Sequence, residues 1–161
     1  MVHKYKIADV VVSVDFIYAY SPHICSRWEV WDNQPPELEL RITNQDVEWQ
    51  LSQAPDLPPP YAESLVFFRK VNDFLLENKN ATVFHCSAIA VDGKGYLFTA
   101  PSGTGKSTHA KLWRQLLGDK ALMINDDKPI VREIDGQFYV YGTPWQGKHD
   151  LGENAKAKNG S

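Results

Sequence analysis

The stretch YLFTAPSGTGKSTHAKLW, residues 96–113, decides how the chain is read. YLFTA is apolar and short, as a central strand is, and HAKLWRQLL has helical spacing, so a glycine-rich turn lies between a strand end and a helix start. The turn follows the spacing G-x-x-x-x-G-K-[ST] of a phosphate-binding loop, with Ala100 at the first position, where glycine is usual. Gly103 and Gly105 let backbone N–H groups turn inward around phosphate oxygens with no Cβ in the way. The helix N-terminus adds its partial positive charge. A methyl group at position 100 is tolerated where the backbone does not approach phosphate most tightly.

Each side chain of the loop then has a chemical reading. Ser102, Gly103, Thr104, Gly105, Lys106, Ser107 and Thr108 form the expected cradle for the phosphates of ATP. Lys106 is a mobile cation for the β- and γ-phosphates, and the Ser107 hydroxyl suits Mg²⁺. Such a loop needs a carboxylate at the end of a neighbouring buried strand. ALMINDD, residues 121–127, supplies Asp126 and Asp127 there. One would hold Mg²⁺ and the other would take the proton of an acceptor hydroxyl, in an order that sequence leaves open. By itself, Asp-Asp also suits a polar strand-end turn.

His85 lies 21 residues ahead of Lys106, in a strand expected over 82–91 that pairs with YLFTA through the DGKG turn. On its residues alone it reads as a core or edge histidine before it reads as a site residue.

The remainder of the chain sets the frame. It has 161 residues, 43% hydrophobic and 23% charged, with a net charge of −3. No strong field for nucleic acid or an anionic membrane follows from that charge. The half that carries the loop, residues 81–161, is net +2, against −5 for residues 1–80. Two cysteines make no disulfide framework, and no apolar run nears the ~18 residues of a membrane span. A cytoplasmic setting is expected, and a homo-oligomer stays open.

Residues 1–58 read as a small antiparallel β module. Strands are expected at 5–17, at SRWEVW, at ELELRIT and at VEWQLS, with Trp28, Trp31 and Trp49 as core or cross-strand residues. A Pro-rich linker, APDLPPP, leads into a helix in YAESLVFFRKVNDFLLENKN, assigned with the loop to a second domain, 59–161. In the loop's own helix, Ala110, Leu112, Trp113, Leu116 and Leu117 are expected on one broad buried face, with Gly118 at its end. KPIVREIDGQFYVYG reads as a hairpin turning at Asp135-Gly136. TPWQGKHDLGENAKAKNGS reads as having no regular element.

HCSAIAVDGKGYLFTAPSGTGKST followed by INDD resembles the catalytic domain of HPr kinase/phosphorylase. The same fold occurs in ATP-dependent phosphoenolpyruvate carboxykinases. INDDKPIVR and YGTPWQGKH are also similar to uncharacterised bacterial HPr-kinase-like proteins. The resemblance covers residues ~82–150 and implies an α/β (α+β) P-loop kinase domain. It implies a catalytic role for His85 with Lys106, Asp126 and Asp127, and a metal role for Ser107, Asp126 and Asp127. The arginine-bearing segment that HPr kinases carry further on is not recognisable, so the domain is expected to be truncated at its C-terminal end.

The leading expectation is an ATP- and Mg²⁺-dependent phosphotransferase acting on a Ser/Thr-type hydroxyl of a protein, peptide or small molecule. A nucleotide-binding module without chemistry and a carboxykinase-like enzyme are the alternatives. Trp145, Lys148 and His149 are candidate substrate contacts or a surface loop anchored by one Trp.

Overall fold

The computed structural model describes residues 2–147 and 152–159. The chain is a mixed α+β protein of two compact units, residues 1–77 and 78–161.

In the first unit, β1 (Val2–Ile7) and β2 (Val10–Asp15) form an antiparallel hairpin. Its turn, Ala8-Asp9, has positive φ at both residues, which matches the right-handed twist of the strands. β3 (Leu38–Arg41) pairs with β2 in parallel, so the module is not purely antiparallel as expected. Nor is it β-only. α1 spans Tyr20–Cys25, and in place of the expected SRWEVW strand there is a 3₁₀ turn over Ser26–Trp28 followed by a single antiparallel bridge from Glu29 to Tyr5. Trp28 is buried there, whereas Trp31 is 86% exposed.

VEWQLS is not a strand but part of α2 (Asn44–Gln53). Thr43 caps that helix: its Oγ1 accepts from Asp46 N at 3.2 Å, and the Asp46 carboxylate accepts from Thr43 N at 2.9 Å. This reciprocal cap outweighs the short alternation that suggested a strand. Trp49 is half exposed, with the Arg69 guanidinium 4.2 Å from its ring centre.

α3 (Pro59–Asn78) opens on a proline, which suits the first turn because its N–H would have no partner. Its Phe67 packs on Tyr5 and edge-on to Phe16, so the helix belongs to the core of the first unit. Glu63, on the same helix, is fully buried and accepts from Ile17 N at 2.5 Å, from Tyr18 N and from Ser21 Oγ at 3.2 Å. Burial raises its pKa, against the lowering pull of those donors.

The folded state therefore keeps the Glu63 proton to higher pH than the unfolded chain does. Stability is lost as pH rises from about 4.3, the unfolded value, through the raised folded value. Wild type minus Glu63→Gln, compared by urea unfolding from pH 4 to 7, is expected to show falling relative stability across that window. A pH-independent difference would remove Glu63 as the titrating group.

The second unit is one seven-stranded sheet, in the order β4-β8-β9-β10-β6-β5-β7. The expected strand over 82–91 is two strands, β4 (Ala81–Val83) and β5 (Ser87–Val91), separated by residues 84–86. β4 pairs with β8 (Ile130–Ile134), while β5 pairs with β6 (Lys94–Phe98) and β7 (Ala121–Asn125). The β5–β6 and β8–β9 turns are Asp92-Gly93 and Asp135-Gly136, all four residues at positive φ, as read from sequence; β9 is Gln137–Tyr141.

Residues 156–159, expected to be irregular, form β10 (Lys156–Asn159) between β9 and β6. Its pairing with β6 is parallel; every other pair in this sheet is antiparallel. The strand is hard to see in sequence because it buries one small side chain, Ala157, between two exposed lysines. Lys156 compensates by placing its ammonium 4.7 Å from the Tyr139 ring centre and 5.1 Å from that of Tyr141.

Glycines allow two close approaches here, one to a side chain and one to backbone. A Cβ on Gly95 would meet Val140 Cγ1 at 2.5 Å, and one on Gly142 would run into Glu153 O and meet Ile124 O at 2.9 Å.

β5 alternates across the sheet. Ala88 and Ala90 join Cys86, Ile124, Val140 and Ala157 on one face. Ile89 joins Met123, Ala121 and Ala110 of α4 (Lys106–Leu117) on the other. The buried face of α4 is narrower than expected: Trp113 and Leu117 pack on this core, but Leu112 and Leu116 are 56% and 85% exposed. Gly118 ends the helix at positive φ.

Candidate functional site

The loop between β6 and α4 has the backbone that its glycines suggest. Gly103 and Gly105 adopt φ +81° and +95°. A Cβ on Gly103 would meet nothing within 4 Å, and one on Gly105 only Thr108 Cβ at 4.0 Å. The left-handed backbone, and not crowding, is what calls for glycine at both positions. Ala100 is not among the positive-φ residues, so alanine suits it. Thr104 closes the turn, its Oγ1 donating to Pro101 O at 2.6 Å. His109 N donates to Gly105 O at 2.8 Å and starts the helix. Lys106 Nζ folds back to Ala100 O at 2.8 Å and Pro101 O at 3.4 Å. The cation is thus held over the loop whose amides would face phosphate.

Three further segments end beside one another. Register places Ser87 opposite Phe98, the last residue of β6, and Ala88 opposite Asn125, the last residue of β7. Ser87 Oγ donates to Asp126 Oδ1 at 2.6 Å. Asp127 Oδ1 lies 3.1 Å from His85 Nε2, and its Oδ2 takes the Lys128 ammonium. His85 is 61% exposed at its side chain, in the break between β4 and β5, so it is not a core histidine.

Asn125 fixes this corner. It is fully buried; its Nδ2 donates to Thr143 O, Thr143 Oγ1 and Trp145 O at 3.0–3.2 Å. Its Oδ1 accepts from Asp127 N and Lys128 N, both at 2.8 Å. Thr143 Oγ1 donates onward to Lys128 O at 2.7 Å. Segment 143–147 is thereby drawn against Asp126: a Cβ on Gly147 would meet Asp126 Oδ2 at 3.4 Å.

A cavity of ≈ 230 Å³ is lined by Ser107, Thr108, Lys111 and Arg114 of α4, with Met123 and Asp126. It brings together Ser107, Thr108 and Asp126, three residues singled out from sequence. His85 joins Asp127 and not this cavity. Ser102, Gly103 and Thr104 stay in the exposed loop. Trp145 is buried, with its carbonyl accepting from Asn125, so it anchors the segment from below. Lys148 and His149 lie outside the described residues.

Ser87, Asn125 and Thr143 were not picked out from sequence. Asn125 alone left a trace, as a polar residue ending a buried strand. Cys86, fully buried next to His85, has its thiol pushed up to about 12 by burial despite the pull of the Lys106 charge. It carries no thiolate near neutral pH.

The donors fit Mg²⁺ unequally. Ser107 and Asp126 offer hard oxygens to one cavity, and among the described residues no hydrogen bond reaches Asp126 Oδ2. Both Asp127 oxygens are engaged. No cluster of three or more His, Cys, Asp and Glu side chains that could hold a metal occurs among the described residues. A nucleotide-bound Mg²⁺ needs no such cage, because phosphate and water supply most of its ligands. No helix is long and apolar enough to cross a membrane among the described residues.

Compared with known proteins, the chain matches no family model and no curated protein.

Proposed function

We propose that the second unit is an ATP-dependent phosphotransferase of the HPr-kinase-like type, acting on a hydroxyl-bearing protein, peptide or small molecule. One observation carries this reading. Ser107 of the loop and Asp126 at the end of β7, 19 positions apart, line one cavity, and Asp127 beside them contacts His85. Strand, glycine loop and helix without that convergence would support phosphate binding alone.

The loop amides and the α4 N-terminus take the phosphate charge. Lys106 leaves the Ala100 and Pro101 carbonyls for the β- and γ-phosphate oxygens, exchanging neutral acceptors for charged ones. Ser107 and Asp126 would hold Mg²⁺, which would supply charge neutralisation at the transferring phosphoryl group. Ser87 fixes the Asp126 rotamer through its 2.6 Å hydrogen bond. Asp127, steadied by His85 and Lys128, receives the proton of the acceptor hydroxyl. This division gives Asp126 the metal and Asp127 the proton. Catalysis is then positioning and charge neutralisation.

Calorimetric titration with ATP and Mg²⁺ is the direct test. Saturable binding at one site per chain is expected. If ATP, ADP and inorganic phosphate all fail to bind, the reading falls. Binding with no phosphoryl transfer to any hydroxyl or to water would reduce it to a nucleotide-binding module.

A further inference from the structure

Beside the phosphate loop, on the flank of α4 formed by His109 and Trp113, lies a group of four rings. Tyr96 and Phe98 come from β6, the strand that feeds the loop. Ring centres are 4.6 Å apart for Phe98–His109, 5.2 Å for Phe98–Trp113 and 5.2 Å for Tyr96–Trp113. Phe98 and Trp113 rest on the buried core of the unit, yet His109 and Tyr96 are exposed, so the group opens to solvent. The cavity that holds Asp126 uses a different flank, that of Ser107, Lys111 and Arg114.

We propose that these rings are the stacking platform for the nucleobase of the bound nucleotide. This rests on the phosphotransferase reading and adds the base subsite to it. With phosphates at the α4 N-terminus and the metal-side donors on the Asp126 flank, the nucleoside leaves on the other flank. His109 and Trp113 lie ~4.5 and ~10.5 Å along the helix axis from Lys106, at 1.5 Å per residue. That is the span over which a ribose and base extend beyond the phosphates.

The chemistry also suits a base. Trp113 Nε1 donates to His109 Nε2 at 3.1 Å. An indole N–H can only donate, so the imidazole proton sits on Nδ1, where it is a donor for a ring nitrogen of the base. The bond also locks both rings, which limits the entropy lost on stacking.

The test compares ATP with inorganic tripolyphosphate, which engages the loop but has no base, on wild type, Trp113→Ala and His109→Ala, each checked for folding by circular dichroism. Wild type is expected to bind ATP more tightly than tripolyphosphate. Both variants are expected to lose about 10-fold in ATP affinity, the scale of one base stack, with tripolyphosphate affinity unchanged within about 2-fold. Should Trp113→Ala fail to fold, the exposed His109→Ala decides alone. Equal wild-type affinity for the two ligands, or unchanged ATP affinity in a folded variant, overturns the platform and leaves the phosphate site standing. If wild type binds neither ligand, the platform and the phosphotransferase reading fall together.

Discussion

Lys106→Ala is expected to lower ATP turnover by about 10²–10³-fold, the usual cost of deleting one preorganised charge partner of a transferring group. Phosphate release from ATP, with water as the acceptor, is the assay. The size follows from where the ammonium sits. Its present partners are two backbone carbonyls of the loop itself, so no ion pair need break before it reaches phosphate. The substitution leaves Gly103, Gly105 and the start of α4 intact, since their conformation is set by backbone and by Thr104. Stability should therefore change little while turnover collapses. Full turnover in the variant would mean that the loop is not where phosphoryl transfer occurs.

Asn125→Ala is expected to destabilise the protein by about 3 kcal/mol, read from the urea midpoint at unchanged slope. One fully buried amide serves five hydrogen bonds. Its removal strands the Asp127 and Lys128 amides on one side and the Thr143 and Trp145 carbonyls on the other. Asn125→Asp is the sharper variant. It keeps an acceptor for the two amides, yet sets a carboxylate against two carbonyl oxygens in place of the donor. A loss at least as large as that of alanine is expected. A cost below 1 kcal/mol for both would show that solvent reaches these groups.

The loop was legible because its chemistry is local. Strand, two glycines, Lys106, Ser107 and helix follow in sequence, and each has a backbone or charge reason to be where it is. Hairpin turns were legible for the same reason, as Asp-Gly states its φ preference directly. Ser107 was joined to the Asp126-Asp127 pair because such a loop needs a carboxylate at a neighbouring strand end. His85 entered only by resemblance and its contact with Asp127 was not foreseen, since that meeting depends on how β5, β6 and β7 order in the sheet. The errors came from short-range pattern without its context. VEWQLS alternates like a strand, but Thr43 and Asp46 cap it as a helix. Leu112 and Leu116 fit a buried stripe, yet the sheet surface under α4 covers only Ala110, Trp113 and Leu117. The break at residues 84–86 left little signal in TVFHCSAIAV, because Phe84 and Cys86 keep the run apolar on both sides of His85.

The position of β10 has a consequence for how the protein is made. Among the described strands, β4-β8-β9 and β6-β5-β7 are paired to each other only through this one. It is the last of the described strands to leave the ribosome, starting 50 residues after Lys106 of the loop whose strand it flanks. Until it arrives, β6 offers a bare edge next to the glycine loop, and β9 another. Closing the sheet demands a contact between residues 94–95 and 158–159, which folds more slowly than a hairpin because a long loop must be ordered first. The nascent chain therefore passes through an interval in which the glycine loop has been made and the sheet that carries it is still in two pieces.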